Sequence, residues 1–172
     1  MVNMVAVKVR RAVPGDGDGC SRVWRDTGRY LAELNPDLSQ VPDCSELADK
    51  FDALCSALGG QPDQLFLVAL RDREIVGMLI ARLLEPAENA SLQLERDLGR
   101  RRVQVDALAV SAGQRRDGAG TALMESVLGW ARECGAEVML LETEANNELS
   151  VPFYRDRLGF SARLVKFRKE LR

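Results

Sequence analysis

The run Val103-Gln104-Val105-Asp106-Ala107-Leu108-Ala109-Val110, then Ser111-Ala112-Gly113-Gln114, then Arg115-Arg116-Asp117-Gly118-Ala119-Gly120-Thr121-Ala122-Leu123 decides the fold. Its first part is apolar on both alternating faces, which reads as a central strand covered on both sides. Leu123, Val127, Trp130, Ala131 and Cys134 then recur with helical spacing. Between strand and helix lies a tight loop with two glycines. Glycine adopts positive φ and lets backbone approach a ligand closely. Loop amides and the helix N-terminus then converge on one point, which suits a phosphate group. Gly118 and Gly120 either shape the turn alone or also bring backbone against that phosphate. The pattern lacks the third glycine of a dinucleotide fingerprint and the Gly-Lys-Ser/Thr of a P-loop.

Upstream of this centre, Val5 to Arg10 alternates and predicts a first strand, broken by Pro14-Gly15-Asp16-Gly17-Asp18-Gly19. Cys20, Val23, Trp24, Thr27, Leu31 and Leu34 predict a helix that ends at Asn35-Pro36. A second helix is expected from about Asp43, with Asp43 and Glu46 at capping-box spacing, Leu47, Phe51, Leu54, Cys55 and Leu58 as its stripe, and Gly59-Gly60 as its stop. Leu65 to Leu70 and Ile75 to Leu84 read as a hairpin about the turn Arg71-Asp72-Arg73-Glu74. Glu85 to Arg102 reads as a loop with a helical turn around Leu92 to Leu98. Downstream, Val138 to Leu141 reads as a buried strand, Phe153-Tyr154 lies on a short helix ending at Gly159, and Ala162 to Arg168 as a last strand. The expected order is β-α-α-β-β-β-α-β-α-β, an α/β protein in a single domain spanning residues 1–172.

The 172 residues suffice for a core without disulfides or metal. Hydrophobic residues make up 46% and charged residues 29%, as in soluble globular domains. A net charge of -2 gives no footprint for nucleic acid, although arginine outnumbers lysine 20 to 4. No apolar run reaches membrane-spanning length, and the N-terminus lacks a signal-peptide layout. A cytoplasmic location is therefore expected. With no histidine, Ser-His-Asp and Cys-His catalysis fall away, as do zinc sites that include histidine. Cys20, Cys44, Cys55 and Cys134 form no C-x-x-C pair and read as reduced structural thiols.

Arg-x-x-Gly-x-Gly directly after Leu-Ala-Val resembles the pyrophosphate loop of the GNAT superfamily of acyl-CoA-dependent N-acetyltransferases, with Arg115, Gly118 and Gly120 at its defined positions. A second segment agrees. Asn147-Glu148-Leu149-Ser150-Val151-Pro152-Phe153-Tyr154-Arg155-Asp156-Arg157-Leu158-Gly159-Phe160 resembles that family's Asn-x-x-Ala/Ser-x-x-Phe-Tyr-x-x-x-Gly-Phe signature, in the same order along the chain. Pro152 departs from it and is tolerated only in a first turn, so the helix is expected to begin near Ser150 or Val151. The resemblance implies a mixed, mostly antiparallel sheet flanked by helices, opening between the strand that ends at Val110 and that of Val138 to Leu141. It implies acetyl-CoA as acyl donor, no metal, and a small-molecule or peptide amine as acceptor. It leaves a homodimer open and implies neither nucleic acid nor a membrane as partner. Failing transfer, the same loop would suit a protein that only binds acyl-CoA.

The resemblance assigns cofactor binding to Leu108, Ala109, Val110, Arg115, Arg116, Asp117, Gly118, Ala119, Gly120, Thr121, Asn147 and Tyr154. Arg115 and Arg116 are either solvated surface or phosphate ligands. Asn147 is a helix cap by residue type, and the resemblance adds a bond to the pantetheine arm. Tyr154 is either a core aromatic or, as the resemblance implies, the acid that meets the departing thiolate; a phenol near pKa ~10 and a thiol near ~8.5 fit that exchange. Asp106 stands out on physical grounds, since a carboxylate between Val105 and Ala107 in a central strand is costly to bury. It is either a structural acceptor or a general base with raised pKa, and it matches the acidic residue many members carry before the loop. Glu142 and Glu144 are the runners-up. Trp24 and Trp130 read as core, Tyr30 as a candidate for the substrate cleft, and Arg100-Arg101-Arg102 as a solvated strand entrance.

Overall fold

The computed structural model describes residues 6–171. Val5 of the expected first strand lies outside them. The chain forms two compact units, residues 1–142 and 143–172.

The first unit is built on a five-stranded sheet in the order β1-β2-β3-β4-β5. β1 spans Lys8–Arg11, β2 Gln64–Arg71, β3 Glu74–Leu84, β4 Arg102–Val110 and β5 Val138–Leu141. The first four run antiparallel to their neighbours, and β5 joins β4 in parallel. The helices are α1 (Gly17–Leu34), α2 (Leu47–Leu58) and α3 (Ala119–Glu133). Cys20 and Val23 of α1 and Phe51 and Cys55 of α2 pack with Phe66, Val68, Met78 and Ala109 from one sheet face. The alternate residues Leu65, Leu67, Leu79, Ala81, Val103 and Val105 are also buried, as are Leu123, Met124 and Val127 of α3. Apolar residues thus fill both faces of β2, β3 and β4. Trp24 sits edge-on to Phe51, ring centroids 6.3 Å apart, yet Trp24 and Trp130 are only half-buried. β5 is likewise half-buried, not buried as expected.

The hairpin forms as its sequence predicts. Asp72 (φ 48°) and Arg73 (φ 70°) make the two-residue turn whose twist matches that of the strands. The capping box does not form: α2 begins at Leu47, and no side chain caps it. The start of α1 is held instead by α2, whose Asp52 accepts hydrogen bonds from the amides of Gly15 and Gly17 (2.8 Å each). Gly17 is required there, since a Cβ would collide with the Ala48 carbonyl and Asp52. Asp16, 8% exposed, accepts two hydrogen bonds from Arg10 (2.6 and 2.8 Å) and one from the Val13 amide (2.9 Å). The Arg10 hydrogen bond holds its carboxyl below the usual carboxylate range, against the opposing effect of burial. Residues 85–101 form a loop with 3-10 turns at Ala90–Leu92 and Arg96–Gly99. Arg102 corrects the reading of a solvated entrance: it is buried and donates to the Asp97 and Arg100 carbonyls (2.8 and 3.0 Å).

The second unit carries α4 (Ser150–Pro152), which continues as a π-helical turn over Phe153–Arg157. Pro152 falls within the first turn, as expected. The last strand expected over Ala162 to Arg168 does not form; residues 159–171 have no regular secondary structure. A strand exists through its ladder, and among the described residues of this unit there is no second strand to pair with. Leu164 and Phe167 are 81% and 92% exposed.

Candidate active site

β4 leads directly into the loop of interest. Val76 is the extra residue of a bulge in β3, since Ala69 pairs with Gly77 and Leu70 with Ile75. The Val76 carbonyl accepts the Ser111 amide at 2.9 Å, fixing where β4 ends. The Ala112 amide donates to Asp26 of α1. Arg115 folds back: its Nε donates to the Val110 carbonyl at 3.1 Å, and its guanidinium stacks 4.7 Å from the Tyr30 ring centroid. Tyr30 therefore lies beside the loop, held by a cation–π contact. Arg116 is exposed at φ 67°, and Gly118 at φ 88° is the residue before α3. Two positive φ values so close together turn the chain sharply, and a side chain at Gly118 would meet open space.

The first intrahelical bond of α3 runs from the Ala122 amide to the Gly118 carbonyl, 2.9 Å. The amides of Ala119, Gly120 and Thr121 thus lack acceptors inside the helix, and no side chain among the described residues caps the helix start. Three donors at the positive end of a helix dipole form an anion cradle. The residues present fit the diphosphate of a coenzyme A. Arg71, at the end of β2, grips the same loop, donating to the Gln114 side chain (2.6 Å), the Asp117 carboxylate (3.2 Å) and the Asp117 carbonyl (2.9 Å).

β4 pairs with β5 only from Arg102 to Val105. It then continues through Asp106, Ala107, Leu108, Ala109 and Val110 beyond the end of β5, so this half of β4 has no β5 residue to pair with. A second bulge directly follows the last β4–β5 pair: Ala81 pairs with Val105 and Ile80 with Ala107, leaving Asp106 as the extra residue. The expectation that Asp106 is buried is therefore corrected. Its side chain is 36% exposed and pairs with Arg82 Nε at 3.1 Å. Glu142 and Glu144 are exposed.

In the second unit Asn147 is 4% exposed, and its Oδ1 accepts the amides of Leu149 (3.1 Å) and Ser150 (3.0 Å). It caps the short helix, the role its residue type suggests. The Tyr154 ring lies 5.3 Å from Phe153 and 6.0 Å from Phe160, the latter edge-on, and the Tyr154 carbonyl accepts the Phe160 amide at 2.9 Å. Burial pushes its phenol up to about 12. It therefore keeps its proton throughout the neutral range.

Sequence reasoning missed Arg71 and Asp26. Their loop partners lie 43 to 46 and 86 positions away in the chain, and no local pattern signals such pairs.

The acetyltransferase (GNAT) family model matches residues 29–160, a span that includes both segments singled out in the sequence. No curated protein sequence matches the chain. Among solved structures, a mutant BH1408 protein from Bacillus halodurans aligns at TM-score 0.79 and 19% identity, covering 95% of this chain and 99% of that one. An acetyltransferase from Trypanosoma brucei aligns at 0.63 and 22%, covering 96% and 100%. AAC(6')-Iy, in complex with the bisubstrate analog CoA-S-monomethyl-acetylneamine, aligns at 0.63 and 18%, covering 96% and 99%. At these identities the structural likeness speaks for the fold.

Proposed function

The chain belongs to the acetyltransferase (GNAT) family, and on that premise we propose that it transfers an acetyl group from acetyl-CoA to a primary amine by direct attack, within one domain of 172 residues. The observation that carries the reading is the uncapped first turn of α3 behind the Gly118 turn, next to a β4 strand that runs on without β5.

In this reading the amides of Gly118, Ala119, Gly120 and Thr121 bind the pyrophosphate, and Arg115, Arg116 and Asp117 shape the loop around it. Backbone groups of Leu108, Ala109 and Val110 hydrogen-bond the pantetheine arm as an added strand would, and Asn147 contributes to the same arm. Asp106 accepts the amine proton, directly or through water. The amine nitrogen forms a bond to the acetyl carbon, and the carbon–sulfur bond breaks. A backbone amide near Ala109 or Val110 stabilises the oxyanion, and Tyr154, protonated at neutral pH, assists departure of the thiolate as its hydrogen-bond donor and acid. Burial pushes the thiols of Cys20 and Cys55 up to about 12 and about 11, which removes both as thiolate nucleophiles. The acceptor is a small-molecule or peptide amine, with residues 35–42 and 85–102 proposed to shape its pocket.

The test is release of free coenzyme A thiol from acetyl-CoA across an amine panel, for the wild type and Tyr154→Phe. Amine-dependent release, slowed roughly 10- to 1000-fold by the substitution with cofactor affinity unchanged, is expected. Acetyl-CoA binding without amine-dependent release from any member of a broad panel would favour a non-catalytic acyl-CoA-binding protein.

A further inference from the structure

We propose that Arg71 is a positioning residue of the cofactor site, which shapes the diphosphate cradle before the ligand arrives and cancels the charge of Asp117. The inference rests on the reading of the Arg115–Gly120 loop as that cradle. Arg71 is the last residue of β2, and the two-residue turn that follows holds it at the hairpin end. Its side chain is only 16% exposed. The guanidinium spans the loop with three hydrogen bonds, to the side chain of Gln114 and to both the carboxylate and the carbonyl of Asp117. The residues it brackets include Arg116, whose positive φ is unfavourable for a side-chain-bearing residue. A turn of this kind persists only where its surroundings hold it.

Charge supplies the second argument. Asp117 directly precedes Gly118, so its carboxylate belongs to the loop proposed to receive a dianionic group. Like charges at a binding site weaken association unless one is neutralised. Arg71 supplies the counter-charge from outside the loop, so the cradle amides face the ligand without competition from that carboxylate. A lysine keeps the charge but presents a point ammonium in place of a planar fork. It cannot reproduce all three bonds at these separations. The two effects, geometry and neutralisation, are therefore separable.

The experiment is calorimetric titration of acetyl-CoA and of coenzyme A into the full chain, with melting temperatures and kcat at saturating acetyl-CoA measured alongside. Arg71→Ala is expected to weaken binding tenfold or more, equivalent to about 1.4 kcal/mol per decade, while kcat at saturation stays within about threefold. Arg71→Lys should fall between the two. Adding Asp117→Asn to Arg71→Ala should recover part of the lost affinity, because the unpaired carboxylate is gone; a merely structural arginine predicts no such recovery. Should Arg71→Ala fail to fold, Arg71→Lys and Arg71→Gln carry the same test. Unchanged affinity in a folded variant, or a loss confined to kcat, overturns the inference alone. A wild type that binds neither ligand overturns the cradle reading and this inference with it.

Discussion

One extra residue in β4 moves Asp106 out of the core and onto an exposed ion pair with Arg82. An exposed pair of this kind contributes about 0–1 kcal/mol, so Asp106→Asn should leave the melting temperature nearly unchanged. If Asp106 accepts the amine proton, the same substitution should slow transfer most near neutral pH. The deficit should shrink as pH rises, because free amine then becomes abundant without help. A pH–rate profile of kcat/KM for both proteins checks this; parallel profiles would move the base to Glu142, Glu144 or water. The sequence shows that Asp106 is unusual. It does not show why, because a bulge shifts pairing by one residue, and a strand apolar on both faces has no alternation in which that shift would be visible.

At the scale of elements, α1 is held at its start by groups from outside itself: Arg10 through Asp16, and Asp52 of α2. Asp16 has a folded-state pKa below its ordinary value because of the Arg10 hydrogen bond. Its contribution to stability is therefore fully present above the unfolded-state pKa, near ~3.9, and is lost as pH falls through the lowered folded-state value. Asp16→Asn should cost about 1–2 kcal/mol at neutral pH, less than a fully buried pair because Arg10 is partly in solvent. In a domain of this size that is roughly 2–8 °C. The gap between wild type and variant should close as pH drops below about 4; a gap independent of pH in thermal melts would contradict the assignment. Helices α1 and α3, the hairpin and β4 were legible because each carries its periodicity and its breakers locally. The start of α2 was not, since Asp43 and Glu46 have capping-box spacing yet α2 begins at Leu47 without a side-chain cap, and the Asp52 carboxylate instead accepts the Gly15 and Gly17 amides at the start of α1.

For the whole molecule, the element order and the strand–loop–helix centre followed from sequence up to α4, and the chain diverges from it at Ala162 to Arg168. Two adjacent apolar residues, Leu164 and Val165, among Arg163, Lys166 and Arg168 give a weak alternation, and a weak strand forms only against a partner. The long-range grip of Arg71 and Asp26 on the loop was equally illegible, whereas the glycines they support were plain. The central claim is that this loop binds the diphosphate of acetyl-CoA on the first turn of α3. Gly120→Asp tests it with little ambiguity. An acidic residue in the first turn of a helix is favoured by the dipole, so the variant should fold with a melting temperature equal to or above that of the wild type. The same carboxylate would occupy the anion cradle and repel the ligand. Calorimetric titration of acetyl-CoA should show binding to the wild type and at least a tenfold loss, above about 1.4 kcal/mol, in Gly120→Asp; equal affinity in the two folded proteins would contradict the account.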